Sequence, residues 1–479
     1  MVLTNILWRF AERCGAQLVS FVVSLILARL LSPDDYGVVS LIMILMSILT
    51  LFVDSGFKNA LVQKKDADQL DFSTVFYFNI GLGISLYCMM YICAPFIASF
   101  FNRDYMTSFI RVMSLTLVIG GVNGVQTAVV TKTMKFRTFF YSTLSGTIIS
   151  AVVGIVLAYK GAGVWALIAQ RLLNQLINTV VLWYTVKWRP SLEFSVQRLK
   201  PMFSYGSKLL GASILNSFTS NLSGILIGKK YNSDMLAYYD KGRIIPNLLT
   251  ENLLVSVQSV LFPVLAVEQD RRSQVKVILK RSVEVTSYFI FPIMIVFAVC
   301  AEPIVVVLYS SKWIEMVPYL RLWCFISLFY LWNAANLQVI QALGRSDIFL
   351  KIEVVKQVLG MIGIVCTLPF GVLPMLISVF VTTVISVVVN AIPNTLLAGY
   401  GFLKQLKDLS PIICLNIILA IVLWMINKLQ LPYILLLCIE FIVAGVVYVS
   451  GSIILKLDIY RYIIKFLRDL FNRRGADNL

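Results

Sequence analysis

The residues of this chain that could do chemistry are charged and amide side chains set within long apolar runs. In the first run, residues 9–40, helical spacing places Arg13, Gln17, Ser20 and Ser24 on one face. A charge at bilayer depth costs roughly 3 kcal/mol or more, so such a stripe normally faces a polar path or a protein partner. We therefore expect this stripe to form one wall of a substrate pathway.

Similar stripes recur in three later apolar segments. Residues 163–186 and 236–262 carry polar side chains at helical spacings, and residues 203–228 present a row of serines, Asn221 and glycines. Basic residues outnumber acids in the resulting set, which suits an anionic head group because Arg and Lys complement phosphate. The candidate substrate-pathway residues are Arg13, Gln17, Arg171, Asn174, Lys208, Lys241, Arg243 and Asn247.

Acids within the apolar runs are candidates for coupling transport to an ion or proton gradient. These acids are Asp54, Glu251 and Glu353. The charged positions also have a structural interpretation, because Glu353 with Lys356, or Glu12 with Arg13, could form a neutralised pair that holds helices together. The serine and glycine row could likewise serve close helix packing. Both interpretations stay open at the level of the sequence.

The composition argues against an enzyme. The chain has no histidine, which excludes His-ligated metals, haem and histidine proton relays. No Walker A loop is present, and the loops are too short to house a catalytic domain. The eight cysteines lie mostly in apolar segments without CxxC spacing, which is typical of small core side chains. We expect no catalytic residue, no metal site and no cofactor.

The elements that must position the polar side chains are membrane-spanning helices. Hydrophobic residues make up 59% of the 479 residues and charged residues 14%, whereas soluble domains carry about 25% charged residues. Recurring apolar runs predict an all-α polytopic membrane protein with about 14 transmembrane helices. The predicted spans are 9–30, 38–58, 74–99, 107–128, 138–159, 163–186, 203–228, 236–262, 282–308, 317–342, 348–369, 372–397, 410–428 and 432–454.

The distribution of basic residues predicts the orientation. Lys and Arg gather in alternate loops, which places both termini in the cytoplasm. The net charge of +17 then reflects topology and attraction to anionic lipid, so no nucleic-acid partner is expected. The C-terminal run RYIIKFLRDLFNRR mixes basic and apolar residues and predicts an amphipathic helix along the inner membrane surface.

An internal repeat organises these spans. ILARLLSPDDYGVV (26–39) aligns with LIGKKYNSDMLAYY (226–239), which pairs Asp34 with Asp234. The intervening number of spans is even, so the two copies share one orientation in the membrane. We expect an N-terminal lobe of six spans at 1–200 and a C-terminal lobe of six spans at 201–400. Residues 401–479 add two spans and the basic tail, and SPDDYG is expected to form a tight outer turn.

Several runs resemble a known family. ILARLLSPDDYGVVSLI and FVDSGFKNALVQKK (52–65) resemble the start of bacterial polysaccharide transporters, and AYYDKGRIIPNLL (237–249) and QALGRSD (341–347) are also similar to theirs. These are exporters of O-antigen, colanic acid and teichuronic acid in the multidrug/oligosaccharidyl-lipid/polysaccharide flippase superfamily. The resemblance implies two MATE-like six-helix bundles around a central cavity, two additional helices and alternating access. It implies that an undecaprenyl-diphosphate-linked oligosaccharide crosses the bacterial cytoplasmic (inner) membrane.

The resemblance also sets the competing hypotheses. The related lipid II flippase has an Arg-Asp pair in its first helix where this chain has Val23 and Ser24, so that site is not carried over. A MATE-like exporter of small drugs is the alternative function, although a pump for cationic drugs should have an acid-rich cavity. A membrane scaffold without transport activity is a third possibility. The expected partners are the lipid-linked oligosaccharide, membrane lipids and polysaccharide polymerase or assembly proteins.

Overall fold

The computed structural model describes the backbone of residues 2–54, 57–64, 66–429, 431–465 and 468. Within these ranges the description omits the side chains of 2–14, 54, 58–59, 63, 201, 204–209, 212 and 215–216. The part of the chain described consists of α-helices, two short 3-10 helices and their connections, with no strand. The predicted all-α class is therefore confirmed.

Residue contacts divide the chain into two compact units, unit 1 (Met1–Ala237) and unit 2 (Tyr238–Leu479). The helices up to the end of unit 1 are α1 (Val2–Leu30), α2 (Pro33–Asp54), α3 (Phe57–Gln63), α4 (Gln69–Phe100), α5 (Met106–Met113), α6 (Leu115–Lys132), α7 (Phe136–Tyr159), α8 (Val164–Thr185) and α9 (Val196–Lys230). The helix α10 (Ser233–Val267) crosses from one unit to the next.

Unit 2 continues with seven longer or shorter α-helices in the described residues. They are α11 (Arg272–Val299), α12 (Ala301–Tyr309), α13 (Val317–Ala342), α14 (Ser346–Thr367), α15 (Val372–Leu397), α16 (Phe402–Asn427) and α17 (Tyr433–Ile454). The 3-10 helices are Ser311–Met316 and Leu368–Phe370. The predicted lobe boundaries at residues 200 and 400 stay predictions.

Ten segments of the described chain are helices long and apolar enough to cross a membrane. They are Pro33–Val53, Gln69–Phe100, Met106–Lys132, Phe136–Tyr159, Ser233–Val267, Arg272–Val299, Ser311–Ala342, Val372–Leu397, Phe402–Asn427 and Tyr433–Ile454. The other predicted spans coincide with α1, α8, α9 and α14, which are not among these ten segments. The multi-pass membrane class is thus confirmed, while the count of about 14 remains a prediction from hydropathy.

Close helix packing in unit 1 depends on glycines at the crossings. A Cβ atom at Gly83 of α4 would lie 2.8 Å from the Leu117 carbonyl oxygen, and one at Gly121 of α6 would lie 2.6 Å from the Asn79 oxygen. Both distances are shorter than van der Waals contact, so only glycine lets α4 and α6 approach this closely. In unit 1, α7 also packs against α1 and α8, and α2 packs against α9.

The segment SPDDYG does not form the tight turn that the sequence predicted. Helix α2 already begins at Pro33, so only a two-residue connection separates it from α1. Ser32 explains the early start, because its hydroxyl accepts a hydrogen bond from the Asp35 amide at 3.2 Å, and the Asp35 carboxylate accepts one from the Ser32 amide at 3.0 Å. This is a capping box, and proline is favoured at the first helical position after such a cap.

A network of ion pairs anchors the start of α4 in unit 1. The fully buried Asp71 accepts a hydrogen bond from Lys64 at 2.6 Å, and Arg198 of α9 contacts Asp68 at 3.2 Å and Asp71 at 3.6 Å. The connection between α8 and α9 is held beside it, since the Ser191 amide donates to the Ser73 hydroxyl at 2.9 Å. The first turns of α4 and α9 are therefore fixed to each other by polar contacts around the buried Asp71.

Candidate functional site

Arg171 of α8 is a cation within a predicted span that forms no ion pair among the described residues. Its side chain is exposed, and it interacts electrostatically with the Tyr36 hydroxyl of α2. At a rise of about 1.5 Å per residue it lies about 10 Å along α8 from its first residue. Contact with lipid at this position would cost roughly 3 kcal/mol. We infer that the guanidinium faces water or an anion.

The amides near Arg171 on α8 contact neighbouring helices. The Asn174 side chain lies 3.4 Å from the hydroxyls of Thr147 and Ser150 on α7, and Gln175 donates to the Thr116 carbonyl oxygen of α6 at 2.8 Å. Asn174 is half-buried in this arrangement. Part of the α8 stripe therefore joins helices, whereas Arg171 remains available to a ligand.

The candidates on α10 have polar partners or are buried. Arg243 forms an ion pair with Asp240 one turn earlier at 2.9 Å, and Lys241 is buried. Asn247 is half-buried on the same helix. The close approach of α10 to α13 at Gly242, where a Cβ atom would lie 3.0 Å from the Leu320 amide, fixes this part of unit 2.

The remaining candidates divide by whether their side chains are described. Gln17 of α1 is exposed, as is Glu251 of α10. Glu353 of α14 is half-buried and accepts a hydrogen bond from Lys356 at 2.5 Å, which is the neutralised pair considered from the sequence. The side chains of Arg13, Asp54 and Lys208 lie outside the described residues.

The repeat-related acids meet a shared arginine in unit 1. Arg103, between α4 and α5, donates to Asp34 at 3.0 Å, and Asp234 interacts electrostatically with both. Burial disfavours the charge on Arg103, but hydrogen bonds to Asp34 and Tyr105 raise its pKa above the ordinary value. The sequence repeat paired the two acids but gave no sign of Arg103, which comes from a distant connection.

The close contact of the same segments is made possible by glycine. A Cβ atom at Gly37 would overlap the Ser233 carbonyl oxygen, and one at Gly228 would overlap the Leu41 side chain. The first turn of α2 therefore lies directly against the α9–α10 connection within unit 1. This contact joins the two copies of the segment that the sequence repeat identified.

Unit 2 contains a buried amide network that the sequence analysis missed. Gln405 of α16 exchanges hydrogen bonds with Asn336 of α13, at 2.8 and 3.0 Å, and accepts one from Trp332 at 2.5 Å. Asn394 of α15 donates to Asn336 at 2.8 Å. Gln405, Asn336 and Asn394 are fully buried. Three helices are thereby held in one register, because each buried amide would be costly to leave unpaired.

An ion cluster continues from this network. Lys280 of α11 contacts Asp408 of α16 at 3.0 Å and Glu284 at 3.5 Å, and the Tyr400 hydroxyl donates to Asp408 at 2.8 Å. These residues are distant in the sequence, so periodicity could not have paired them. Arg281 also contacts Glu284 at 3.3 Å, so the two cations of the cluster face two acids.

An apolar cavity of about 700 Å³ lies beside the amide network within unit 2. Its walls come from α11, α13, α15 and α16, and Asn416 is the one amide in them. Aromatic rings occupy much of the wall, with Phe329 and Phe402 on either side of Trp332. Such a cavity can accept a hydrocarbon chain and offers almost nothing to a sugar or a phosphate.

The ten apolar helices of the described chain define a multi-pass membrane protein. The family model for polysaccharide biosynthesis proteins matches residues 26–318, more than half of the chain. The chain therefore belongs to this family. The resemblance seen in the sequence is confirmed.

Two curated relatives are similar over most of the chain. A succinoglycan biosynthesis transport protein of Rhizobium meliloti is 27% identical over 67% of this chain and 65% of its own length. A teichuronic acid biosynthesis protein of Bacillus subtilis is 23% identical over 62% of each chain. The chain thus spans slightly less than two thirds of these relatives. The first is named for transport in succinoglycan biosynthesis and the second for teichuronic acid biosynthesis.

Two solved structures share the fold. Lipid II flippase MurJ, in an inward closed conformation, matches with a TM-score of 0.75 at 14% identity, over 96% of this chain and 100% of its own. An inward-facing MATE family multidrug transporter matches with a TM-score of 0.61 at 14% identity, over 80% of this chain and 94% of its own. The chain therefore has the fold that these two structures share.

Proposed function

We propose that this protein is a flippase that moves undecaprenyl-diphosphate-linked oligosaccharide units across the bacterial cytoplasmic membrane by alternating access. The units would serve the synthesis of a surface polysaccharide such as O-antigen, capsule or exopolysaccharide. Membership of the polysaccharide biosynthesis family supports this, as do the succinoglycan and teichuronic acid relatives. The protein is not proposed to be an enzyme, since a flippase moves its substrate without changing a covalent bond.

The observation that carries the proposal is the unpaired cation Arg171. A guanidinium can donate two parallel hydrogen bonds to phosphate oxygens, and a diphosphate presents several of them. Since Arg171 has no ion pair among the described residues, an anion can be bound without first breaking one. The other proposed pathway residues are Arg13, Gln17, Asn174, Lys208, Lys241, Arg243 and Asn247.

The apolar cavity of unit 2 offers a binding place for the lipid chain of the proposed substrate. A polyprenyl chain is a branched hydrocarbon. The side chains that line the cavity, which include Phe291 and Trp424, are almost entirely apolar. We propose that a segment of the chain can enter this cavity while the remainder stays in the bilayer. Because the polyprenyl chain enters from hydrocarbon and not from water, van der Waals packing against the walls would favour this binding, and the hydrophobic effect would not.

We propose the following topology for this function. The chain has about 14 spans, arranged as two six-helix lobes and two C-terminal helices, and both termini lie in the cytoplasm. The alternating basic loops support this orientation. Proposed partners are membrane lipids and the polysaccharide polymerase or assembly proteins that use the flipped unit. No cofactor is proposed.

Deletion in the host tests the proposed function. We expect less surface polysaccharide and accumulation of the lipid-linked oligosaccharide on the inner leaflet, both reversed by the full chain and poorly reversed by Arg171→Ala. Normal surface glycan without accumulation would overturn the flippase. Loss of small-cation efflux in the deletion strain, with unchanged glycan, would instead favour the MATE-like exporter, whose fold this chain shares.

A further inference from the structure

Glu440 is a carboxylic acid at the centre of the packing stripe of α17. The buried side chains of this helix are four residues apart and form a single line: Leu436, Glu440, Ala444, Tyr448 and Ser452. Glu440 is fully buried, whereas Ile442 on the outer face of the helix is 67% exposed. The acid therefore lies on the side of α17 that packs against protein, about 10 Å along the helix from its first residue.

Neither carboxylate oxygen of Glu440 has a hydrogen-bond partner that meets ordinary geometry among the described residues. The Cys300 thiol, at the junction of α11 and α12, is fully buried and interacts with the acid. No lysine or arginine of the described chain forms an ion pair with it. The charge of an ionised Glu440 would thus be left in an apolar environment without compensation.

The three helices packed against α17 carry few titratable or charged groups on this side. On α12, Glu302 accepts a hydrogen bond from Tyr433 at 3.3 Å. On α11, Tyr288 lies more than two turns away and is held by Ser452 at 3.0 Å. On α16, Lys428 follows the last turn, and its ammonium lies 3.6 Å from the centre of the Trp424 ring. None of these groups neutralises Glu440.

We infer that Glu440 is a proton-binding site whose carboxyl holds a proton while α17 is packed against α12 and α16. Transfer of an ionised carboxylate into such an environment is far more costly than transfer of the neutral acid. Even the neutral acid is less favourable there than an apolar side chain, because its polar atoms lack partners. A residue kept only for packing would therefore be apolar.

Release of the proton requires that water reach the carboxyl, which in turn requires α17 to loosen. The proton passes between Glu440 and water, no covalent bond of the substrate changes, and deprotonation opposes repacking. The site would couple a proton gradient to the conformational cycle, and this use rests on the proposed flippase function. The acids chosen from the sequence were Asp54, Glu251 and Glu353, and the proposal adds a different carrier to them.

Infrared difference spectroscopy on the purified full chain in lipid nanodiscs tests the proton site without any substrate. We expect the carbonyl stretch of a buried protonated carboxyl in the wild type, and its loss in Glu440→Gln, which is isosteric with the neutral acid. Glu302→Gln is the matched control and should leave the band in place. Absence of the band from the wild type, or its persistence in Glu440→Gln, would overturn the site.

Flipping in proteoliposomes with and without a pH gradient tests the coupling. We expect the gradient to accelerate the wild type and Glu302→Gln, and we expect that acceleration to be lost in Glu440→Gln. Acceleration retained by Glu440→Gln would overturn the coupling role. Failure of every variant and of the wild type to flip the lipid would refute the proposed function, while the infrared result would still decide whether Glu440 binds a proton.

Discussion

Arg171 in unit 1 and Arg243 in unit 2 are proposed pathway cations that differ in whether an acid pairs with them among the described residues. Among the described residues, Arg171 of α8 in unit 1 has no acid in ion-pair contact, whereas in unit 2 Arg243 is paired with Asp240 and Lys356 with Glu353. In unit 2 the partner acid lies three residues away on the same helix, so neutralisation is built into the local sequence. In unit 1 the positive charge of Arg171 is left to interact with water or with an anion.

The difference separates two uses of charge within a membrane. A cation with its own acid carries little net field and holds helices or a local conformation. A cation without one is stable only where water or an anion reaches it. Of the basic residues selected from the sequence and described in the structure, Arg171 therefore best fits direct contact with a diphosphate.

Arg171→Ala should give the largest effect on transport. Hydrogen bonds to charged groups contribute about 1.5–3 kcal/mol, so the flipping rate should fall at least about tenfold. Arg171→Lys should recover part of the rate, since the point charge remains but the two parallel hydrogen bonds do not. The measurement is the flipping rate of the lipid-linked oligosaccharide in proteoliposomes.

Arg111→Ala is the matched control in unit 1. Arg111 of α5 lies 4.2 Å from the Tyr91 ring centre and donates to the Tyr91 carbonyl oxygen, so it already has partners. We expect the flipping rate of Arg111→Ala to stay within about twofold of the wild-type rate. Equal loss in both variants would show that the missing ion pair does not distinguish a substrate contact.

Glu353→Gln should affect stability more than transport per folded molecule. The substitution leaves Lys356 without its acid, and the lysine side chain is only 15% exposed. Because the lysine can extend toward water, we expect a loss of about 2 kcal/mol, below the cost of breaking a fully buried pair. Thermal unfolding in detergent measures it, and Lys351→Gln on the exposed face is the control. A transport defect without destabilisation would place Glu353 in the pathway instead.

The start of α4 provides a smaller effect with a defined pH dependence. The hydrogen bond from the Asp71 amide, followed by the attraction of Arg198, lowers the pKa of Asp68 below its ordinary value of 3.8. The contribution of ionised Asp68 to the stability of the folded protein is therefore complete above pH 3.8. This contribution is lost as the pH falls through the lowered pKa of Asp68. Asp68→Ala should lose about 1 kcal/mol at neutral pH, as expected for a helix N-cap.

Thermal unfolding of Asp68→Ala and wild type from neutral to acidic pH checks this. The stability difference should be constant near neutrality and should shrink below pH 3.8. Asp66→Ala, an exposed acid two residues earlier, is the control and should lack this dependence. A difference that grows on acidification would contradict the assignment of Asp68 as the ionised cap.

The sequence predicted the elements better than their contacts. Hydropathy located a helix at every predicted span, and the repeat identified the segments around Asp34 and Asp234 that meet in unit 1. The sequence-based prediction missed that Pro33 begins a helix. A proline and two acids after a serine are found both in turns and at capped helix starts. Capping by Asp35 decided between the two.

The candidate site was predicted only in part because helical spacing indicates which residues share a face, not what that face meets. Arg171 and Asn174 share a stripe, yet Asn174 contacts α7, and Arg171 has no ion-pair partner in the part of the chain that the structure describes. Gln405 and Asn336, 69 residues apart, meet only in the folded chain. Glu440 is visible in the sequence as an acid within a strongly apolar span, but it lies outside the internal repeat that contains the candidate pathway residues.

Loss of the ion pair between Arg103 and Asp34 should have the smallest effect on stability. This pair tests whether a paired cation of unit 1 behaves like the paired cations of unit 2. It is an ion pair in unit 1, where Asp34 is 49% exposed, so a double-mutant cycle of Arg103→Gln and Asp34→Asn should give a coupling of about 0.5–1 kcal/mol. Thermal unfolding measures this coupling.

Asp234→Asn should weaken the attraction on Arg103 but relieve repulsion from Asp34, leaving little net change. A coupling above about 2 kcal/mol, as an order of magnitude for buried pairs, would mean that this pair stabilises unit 1 as the ion pairs of the buried Asp71 do. Arg171 would then be an exception within its own unit rather than a sign of how unit 1 differs from unit 2.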